Sequence, residues 1–123
     1  MSMTGISDAI GQPIDTIDTP ALWVDLDALD HNISTMATMF RERGVAWRPH
    51  VKGSKAPAVA RRLIAAGAVG VTCAKVSEAE VMADGGVTDI LIANEIVGPT
   101  KIARLVALAS RATVCVAVDD ASN

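Results

Sequence analysis

Apolar and polar residues follow two different spacings along this chain, and the two spacings alternate. Short runs rich in Val, Ile and Leu predict buried strands, and the stretches between them, with apolar residues three or four positions apart, predict amphipathic helices. The predicted strands are 21–26, 45–52, 69–74, 89–94 and 113–118. The predicted helices are 27–44, 58–66, 77–85 and 100–110. Residues 1–19 are polar and rich in turn residues, which predicts a loose lead-in.

Polar residues at the starts of two predicted helices indicate how those helices begin. Asp27 is placed to cap the first helix, because its carboxylate can accept hydrogen bonds from backbone N–H groups of the first turn. Ser77 and Glu80 have the spacing of a capping box at the start of the third helix.

The alternation of strand and helix decides the fold class. Strand–helix units followed by one more strand predict an α/β protein with parallel strands. The two candidate architectures are a doubly wound open sheet and a (β/α)8 barrel. The first is less favoured, because the glycine-rich loop G-x-G-x-x-G does not follow the first predicted strand. Polar residues at the carboxyl ends of several strands favour the TIM-type barrel, whose chemistry lies at that rim.

The length of the chain limits how much of a barrel it can form. A closed barrel of this type needs roughly 200 residues or more, and this chain has 123. We therefore predict a partial (β/α)8 TIM-type barrel of about four βα units plus a fifth strand. The predicted lead-in covers residues 1–19, and the N-terminal part of the barrel domain covers residues 20–123. The last residues resemble another strand end, so we expect an N-terminal piece of a longer protein.

Composition and charge exclude several classes of protein. Hydrophobic residues make up 50% of the chain and charged residues 20%, which is typical of a globular protein. The net charge of −3 gives no reason to expect nucleic acid or an anionic membrane as a partner. No apolar run approaches the ~20 residues of a membrane span. Cys73 and Cys115 lie in apolar runs without metal-type neighbours, so we expect reduced cysteines in a cytoplasmic protein.

The strongest candidate for chemistry is the end of the second predicted strand. Side chains alternate along a strand, so Arg48, His50 and Lys52 share one face, which should point into the barrel near its rim. Three cationic or titratable groups on one face require an anionic ligand, and a partly desolvated lysine amine can form an imine. The alternative is that Lys52 and Lys55 are solvated turn lysines and that Arg48 pairs with a carboxylate.

Asn94 is a weaker candidate for ligand binding. It lies at the end of the fourth predicted strand, on the same rim, where its amide can face a ligand. It can equally cap the helix that follows. No residue is assigned as a metal ligand.

Several sequence blocks resemble the D-threonine aldolase / D-serine dehydratase-like family, and the resemblance runs from about residue 17 to the end of the chain. The combination of R-P-H-V-K and V-S-E-A-E-V is specific, whereas either block alone is weak. The later blocks are most similar to the 3-hydroxy-D-aspartate aldolase branch. The blocks are D-T-P-A (18–21), V-D-L-D-A-L (24–29), R-P-H-V-K (48–52), G-V-T-C (70–73), V-S-E-A-E-V (76–81), D-I-L-I (89–92) and N-E-I-V-G-P-T-K (94–101).

The resemblance implies a pyridoxal 5′-phosphate enzyme with an alanine-racemase-type barrel. In that family the lysine after R-P-H-x forms the internal aldimine, and here that residue is Lys52. His50, Arg48 and Asn94 are the further residues that we expect at the cofactor. The family usually continues K-T-H-K, whereas this chain reads K-G-S-K over residues 52–55, which removes two polar groups beside the cofactor.

The resemblance also implies a reaction. The expected activity is an aldolase (lyase) that cleaves D-3-hydroxy amino acids, such as D-threonine or 3-hydroxy-D-aspartate, to glycine and an aldehyde. A divalent metal is implied, with ligands outside this chain, as is a homodimer in the full-length form. We expect the 123 residues alone to be inactive. The alternatives are a D-serine dehydratase or amino-acid racemase of the same fold, or a non-catalytic carrier of pyridoxal phosphate.

Overall fold

The computed structural model describes residues 9–121 and alternates helices with parallel strands. The helices are α1 (Leu26–Glu42), α2 (Pro57–Ala65), α3 (Val76–Asp84) and α4 (Pro99–Ala109). The strands are β1 (Val71–Cys73), β2 (Asp89–Glu95) and β3 (Thr113–Ala117). The α/β class is therefore confirmed, and each predicted helix lies within two residues of an observed one.

The three strands form one parallel sheet in the order β1-β2-β3. Ile90 in the middle strand is paired with Val71 on one side and with Val114 on the other. A single helix connects each strand to the next, which is the arrangement found in βα barrels. The sheet with its helices is thus the partial, barrel-like structure that the sequence predicted.

The second predicted strand, 45–52, is shorter than expected. It is paired with β1 through one bridge, between His50 and Thr72, with hydrogen bonds from Val51 N–H to the Thr72 carbonyl (2.9 Å) and from Thr72 N–H to the Pro49 carbonyl (2.8 Å). A regular ladder would next need an N–H at Pro49 to donate to the Gly70 carbonyl. Proline has no such donor, so the regular pairing is interrupted there, and one further backbone hydrogen bond runs from Val69 N–H to the Trp47 carbonyl at 2.9 Å. We call residues 45–51 the lysine segment, because Lys52 follows them.

The prediction of a first strand over 21–26 is wrong. In the part of the chain described here, residues 21–25 are not in a strand, and α1 already begins at Leu26. A strand is maintained by hydrogen bonds to a neighbouring strand, and this segment has large apolar side chains that are exposed, such as Leu22 and Trp23. An apolar run predicts burial, but it does not supply the partner strand.

The cap of α1 also differs from the prediction. Asp25, not Asp27, is the N-cap, and its carboxylate accepts a hydrogen bond from Ala28 N–H at 3.0 Å. The helix begins one residue earlier than expected because Asp25 has the extended backbone that an N-cap requires. Asp27 then lies in the first turn, where its negative charge interacts favourably with the positive end of the helix dipole.

The capping box predicted for α3 is not formed. Lys75 is the N-cap and makes no side-chain cap, while Glu78 reaches back to accept a hydrogen bond from Ala74 N–H at 2.8 Å. Glu80 instead pairs with Arg104 of α4, with Arg104 Nε 2.9 Å from Glu80 Oε1. This hydrogen bond lowers the pKa of the Glu80 carboxyl. The sequence spacing fitted a capping box, but Glu80 has a better partner in the neighbouring helix.

The core lies between the sheet and helices α2 to α4. Its largest fully buried side chains include Met82, Ile90, Ile92 and Leu108. Burial of one such side chain is worth about 1.5–3 kcal/mol, whereas an exposed ion pair is worth about 0–1 kcal/mol. The apolar core therefore dominates the stability of the fold. A second cluster packs α1 against the lysine segment and consists of Ile33, Ala37, Trp47 and Ala68.

Residues 1–8 of the predicted lead-in, and Asn123 with its neighbour, lie outside the described residues. The rest of the lead-in contains a short 3-10 helix, Ile14–Thr16. None of the helices within residues 9–121 combines the length and the apolar content needed to cross a membrane.

Candidate functional site

The carboxyl ends of the parallel strands meet at one edge of the sheet. Lys52 follows the lysine segment, Ala74 follows β1, and Asn94 lies near the end of β2. Because all these strands run in the same direction, the three residues lie on the same rim. In parallel α/β proteins this rim is where ligands bind.

The two faces of the lysine segment differ as predicted. Trp47 and Val51 are buried, in the α1 cluster and the main core respectively. Arg48 is only partly buried and His50 is exposed on the opposite face. The alternation of apolar and polar residues therefore predicted correctly which side chains face the helices.

The register of the strands arranges the open face of the sheet in rows. His50 is bridged to Thr72, Thr72 is paired with Leu91, and Leu91 with Cys115, so these four residues form one row. Beyond this row Lys52 lies in a turn and Ala74 in a bend, and the pairing of β2 with β3 shifts register between Ile92 and Glu95. The row through Thr72 is therefore the last on this face that the register establishes.

Lys52 itself is exposed and belongs to the turn that leaves the sheet. Its backbone N–H donates to His50 Nδ1 at 3.2 Å. The imidazole that accepts at Nδ1 carries its proton on Nε2 when it is neutral. The expectation that Lys52 is partly desolvated is not met by the described residues, which leave its side chain open to solvent.

Arg48 is held by a carboxylate, as the alternative reading of the sequence proposed. Its Nη1 lies 2.8 Å from Asp89 Oδ1 and 3.4 Å from the Asp89 carbonyl. The guanidinium passes over Gly70, where an added Cβ would lie 2.3 Å from Arg48 Nη1. Arg48 is thus at the opposite end of the strands from Lys52. A contact between Arg48 and a cofactor stays a prediction.

Asn94 joins the ends of two strands. Its Nδ2 donates to the Ala74 carbonyl at 3.1 Å, and its Oδ1 accepts from Glu95 N–H at 3.0 Å. The N-cap of α4 is Gly98, which makes no side-chain cap, so the suggested capping role of Asn94 is wrong. Its place on the rim is compatible with a cofactor contact, which stays a prediction.

Glu78 is the residue of this region whose place the sequence did not indicate. Its side chain is 8% exposed, and its carboxylate lies between the Ala74 N–H (2.8 Å) and Lys55 Nζ (3.8 Å). Burial and, to a lesser extent, the charge of Glu78 raise the pKa of the Cys73 thiol to about 11. The sequence showed Glu78 only as an acidic residue in the first turn of a helix, because its partner Lys55 is remote in the chain.

A cleft of about 290 Å³ lies behind the turn that carries Lys52, between that turn and α3. Its lining is Lys55, Lys75, Ser77, Glu78, Val81 and Met82. Within residues 9–121, no group of three or more His, Cys, Asp and Glu side chains is arranged to hold a metal ion.

Comparison with known proteins identifies the fold and several relatives. Residues 24–121 match the family model described as alanine racemase, N-terminal domain. The chain is 46% identical over 109 residues to the 3-hydroxy-D-aspartate aldolase of Paracoccus denitrificans, covering 87% of this chain and 28% of that protein. The chain spans less than a third of the length of the relatives that it matches.

Two solved structures superpose closely on this chain. The crystal structure of D-threonine aldolase from Filomicrobium marinum has a TM-score of 0.81 and 56% sequence identity, over 85% of this chain and 28% of that one. The D-threo-3-hydroxyaspartate dehydratase from Delftia sp. HT23 has a TM-score of 0.78 and 39% identity, over 87% and 28% of the two chains. The resemblance drawn from the sequence blocks is therefore confirmed.

Proposed function

The chain belongs to the alanine racemase N-terminal domain family, and on this premise we propose that it supplies the cofactor-binding lysine of a pyridoxal-phosphate-dependent lyase. The observation that carries the proposal is the agreement among the names of the relatives. D-threonine and 3-hydroxy-D-aspartate are both D-amino acids with a hydroxyl group on the β-carbon. The proposed substrate is accordingly a small D-3-hydroxy amino acid.

The residues on the rim fit the proposed cofactor. Pyridoxal phosphate is an aldehyde, so its anchor must be an amine that solvent and ligand can reach. Lys52 is exposed at the carboxyl edge of the sheet, two residues after His50, which is bridged to Thr72. Lys52 would bind the cofactor covalently, and His50 would lie beside it.

The neighbouring residues would orient the lysine and its surroundings. The backbone N–H of Lys52 donates to His50, which fixes the side-chain direction of the imidazole. The Asn94 side chain donates to the Ala74 carbonyl, which would hold the ends of β2 and β1 together at the rim. When bound, the cofactor would supply an electron-accepting ring for the bond that breaks at the α-carbon of the substrate.

The proposed reaction breaks the Cα–Cβ bond of the substrate. D-threonine would give glycine and acetaldehyde, and 3-hydroxy-D-aspartate would give glycine and glyoxylate, with the β-hydroxyl proton removed by a base. A divalent metal at that hydroxyl and the groups that hold the cofactor phosphate would come from residues outside this chain, as would the contacts of a homodimer. The 123 residues would therefore not catalyse the reaction alone.

The similarity to the Delftia dehydratase favours a second candidate reaction. Loss of water from 3-hydroxyaspartate would keep the Cα–Cβ bond, and hydrolysis of the resulting enamine by water would yield a 2-oxo acid and ammonia. The two reactions use the same substrate class and the same lysine. The products therefore decide between them.

Product analysis tests this proposal. A version of the protein extended to the length of its relatives would be supplied with pyridoxal phosphate, a divalent metal and either D-threonine or 3-hydroxy-D-aspartate. We expect glycine, and no glycine from the Lys52→Ala variant. Ammonia and a 2-oxo acid in place of glycine would establish the dehydratase. Neither set of products from either substrate would refute the lyase proposal.

A further inference from the structure

We propose that Glu78 is a positioning residue that sets the direction of Lys52 by holding Lys55. The proposal rests on Lys52 being the cofactor lysine. It gives a role to Glu78, for which the family resemblance implied none. Glu78 would act through the turn and not by touching the cofactor.

The turn that carries Lys52 is closed at its far end by Lys55. The Lys55 N–H donates to the Val51 carbonyl at 2.8 Å, so residues 51–55 form one tight loop. Lys55 closes this loop with a φ of 50°, in the left-handed region that residues with a side chain rarely adopt. A conformation of this kind persists only where the surroundings hold it.

Glu78 is the buried group that holds Lys55. One carboxylate oxygen lies 3.8 Å from Lys55 Nζ, and the other accepts from Ala74 N–H at 2.8 Å. Ala74 directly follows β1, and β1 is bridged to the lysine segment at His50. The carboxylate therefore connects the far end of the turn to the strand beside which the turn begins.

The cleft behind the turn makes this contact more important. Lys55 is 59% exposed and lines the cleft of about 290 Å³, so apolar packing does not fix its position. A buried carboxylate requires a charged or hydrogen-bonding partner, which favours the contact with Lys55. Loss of the contact between Glu78 and Lys55 should make the turn more mobile, so that the Lys52 side chain samples more orientations. An amine that is held in one direction reacts faster with a bound carbonyl than one that is not.

Reaction with pyridoxal phosphate, followed by borohydride reduction, tests the proposal in the protein extended to the length of its relatives, because the groups proposed to hold the cofactor phosphate lie outside this chain. The initial rate of adduct formation at Lys52 would be divided by the rate at Lys101, which is exposed on α4 and serves as an internal reference. Glu78→Gln keeps an oxygen that can accept from Ala74 N–H but removes the charge. Lys55→Met removes the other partner from an exposed position. Glu80→Gln is the matched control, because Glu80 is in the same helix and pairs with Arg104.

We expect both Glu78→Gln and Lys55→Met to lower the Lys52:Lys101 ratio by about fivefold, a coupling typical of residues in contact. The double variant should be no slower than either single variant, since both remove the same contact. The Glu80→Gln ratio should equal that of the unchanged protein. A Glu78→Gln ratio equal to that of the unchanged protein, or effects that multiply in the double variant, would overturn the proposal.

Hydrogen exchange separates this proposal from the proposed function. The Lys55 amide is bonded to the Val51 carbonyl, and its exchange can be measured without cofactor. We expect faster exchange at Lys55 in Glu78→Gln and unchanged exchange in Glu80→Gln. If the unchanged protein forms no preferential adduct at Lys52, the cofactor assignment fails. If Lys55 exchanges at the same rate in Glu78→Gln, the positioning role fails whatever the cofactor does.

Discussion

At the scale of single residues, the lack of a side chain at Gly70 matters as much as the charge of Arg48. The guanidinium of Arg48 passes over Gly70, just before β1, to reach the Asp89 carboxylate. A Cβ at Gly70 would lie 2.3 Å from Arg48 Nη1 and 2.5 Å from the Asp89 carbonyl oxygen. Arg48 can move away, but the carbonyl belongs to the first residue of β2 and cannot.

Gly70→Ala should therefore destabilise the protein. We expect a loss of about 1–3 kcal/mol in the free energy of unfolding, as for other substitutions that overpack a core. Urea denaturation measures it. Gly53→Ala is the matched control, because a Cβ there meets no heavy atom within 4 Å, and its change should stay within about 0.5 kcal/mol. Equal stabilities of the two variants would contradict the close approach at Gly70.

The Cys73 thiol should make stability depend on pH in the alkaline range. Its pKa is raised from 9.0 to about 11 by burial and by Glu78, so the folded state disfavours the thiolate. A raised folded pKa gives a contribution that is complete below pH 9 and is lost as the pH rises toward 11. Two pKa units correspond to at most roughly 3 kcal/mol.

Denaturation curves at pH 8 to 11 test this dependence. The free energy of unfolding of the unchanged protein should fall relative to that of Cys73→Ala as the pH rises. Cys115→Ala, in which an exposed thiol is removed, is the control for the loss of a cysteine. The same slope in Cys73→Ala and in the unchanged protein would show that Cys73 contributes nothing.

At the scale of secondary-structure elements, the helices were predictable and their first residues were not. The spacing of apolar residues depends only on local geometry, so it located the four α-helices found within residues 9–121. A cap depends on the backbone of a single residue, and two neighbouring aspartates offered the same side chain. Asp25 rather than Asp27 has the required extended backbone.

The two aspartates can be compared directly. Asp25→Ala should lower the free energy of unfolding by about 0.5–2 kcal/mol, because it removes the acceptor for Ala28 N–H. Asp27→Ala removes only a favourable charge in the first turn, which is worth about 0.3–1 kcal/mol. Thermal or urea denaturation of both variants would measure the difference. A larger loss of stability for Asp27→Ala than for Asp25→Ala would show that Asp25 is not the cap.

At the scale of the whole molecule, the sequence predicted the repeated strand–helix units. It did not predict features that depend on contacts with distant parts of the chain. The strand–helix alternation was enough for the α/β class and the partial barrel. The 21–26 segment was assigned to a strand on its apolar side chains alone, and strands need a neighbour. The regular pairing of the lysine segment is interrupted at Pro49, because proline has no N–H donor.

The candidate site shows the same division. Alternation along the lysine segment correctly separated Trp47 and Val51 from Arg48 and His50. The sequence allowed that Arg48 pairs with a carboxylate but could not identify Asp89, which is 41 residues away. The pairing of Glu78 was not predicted, because nothing local to it in the sequence indicates Lys55. Contacts between distant residues are decided by the packing of the elements that carry them.

In the protein extended to the length of its relatives, the distribution of trapped pyridoxal phosphate among Lys52, Lys55, Lys75 and Lys101 tests the central claim most directly. Borohydride reduction followed by mass spectrometry of the peptides gives the share at each residue. The account predicts that Lys52 carries most of the adduct and that Lys52→Arg abolishes this excess without increasing it at Lys55. An adduct spread evenly over the four lysines, or concentrated at Lys55, would contradict the assignment of Lys52 as the cofactor lysine.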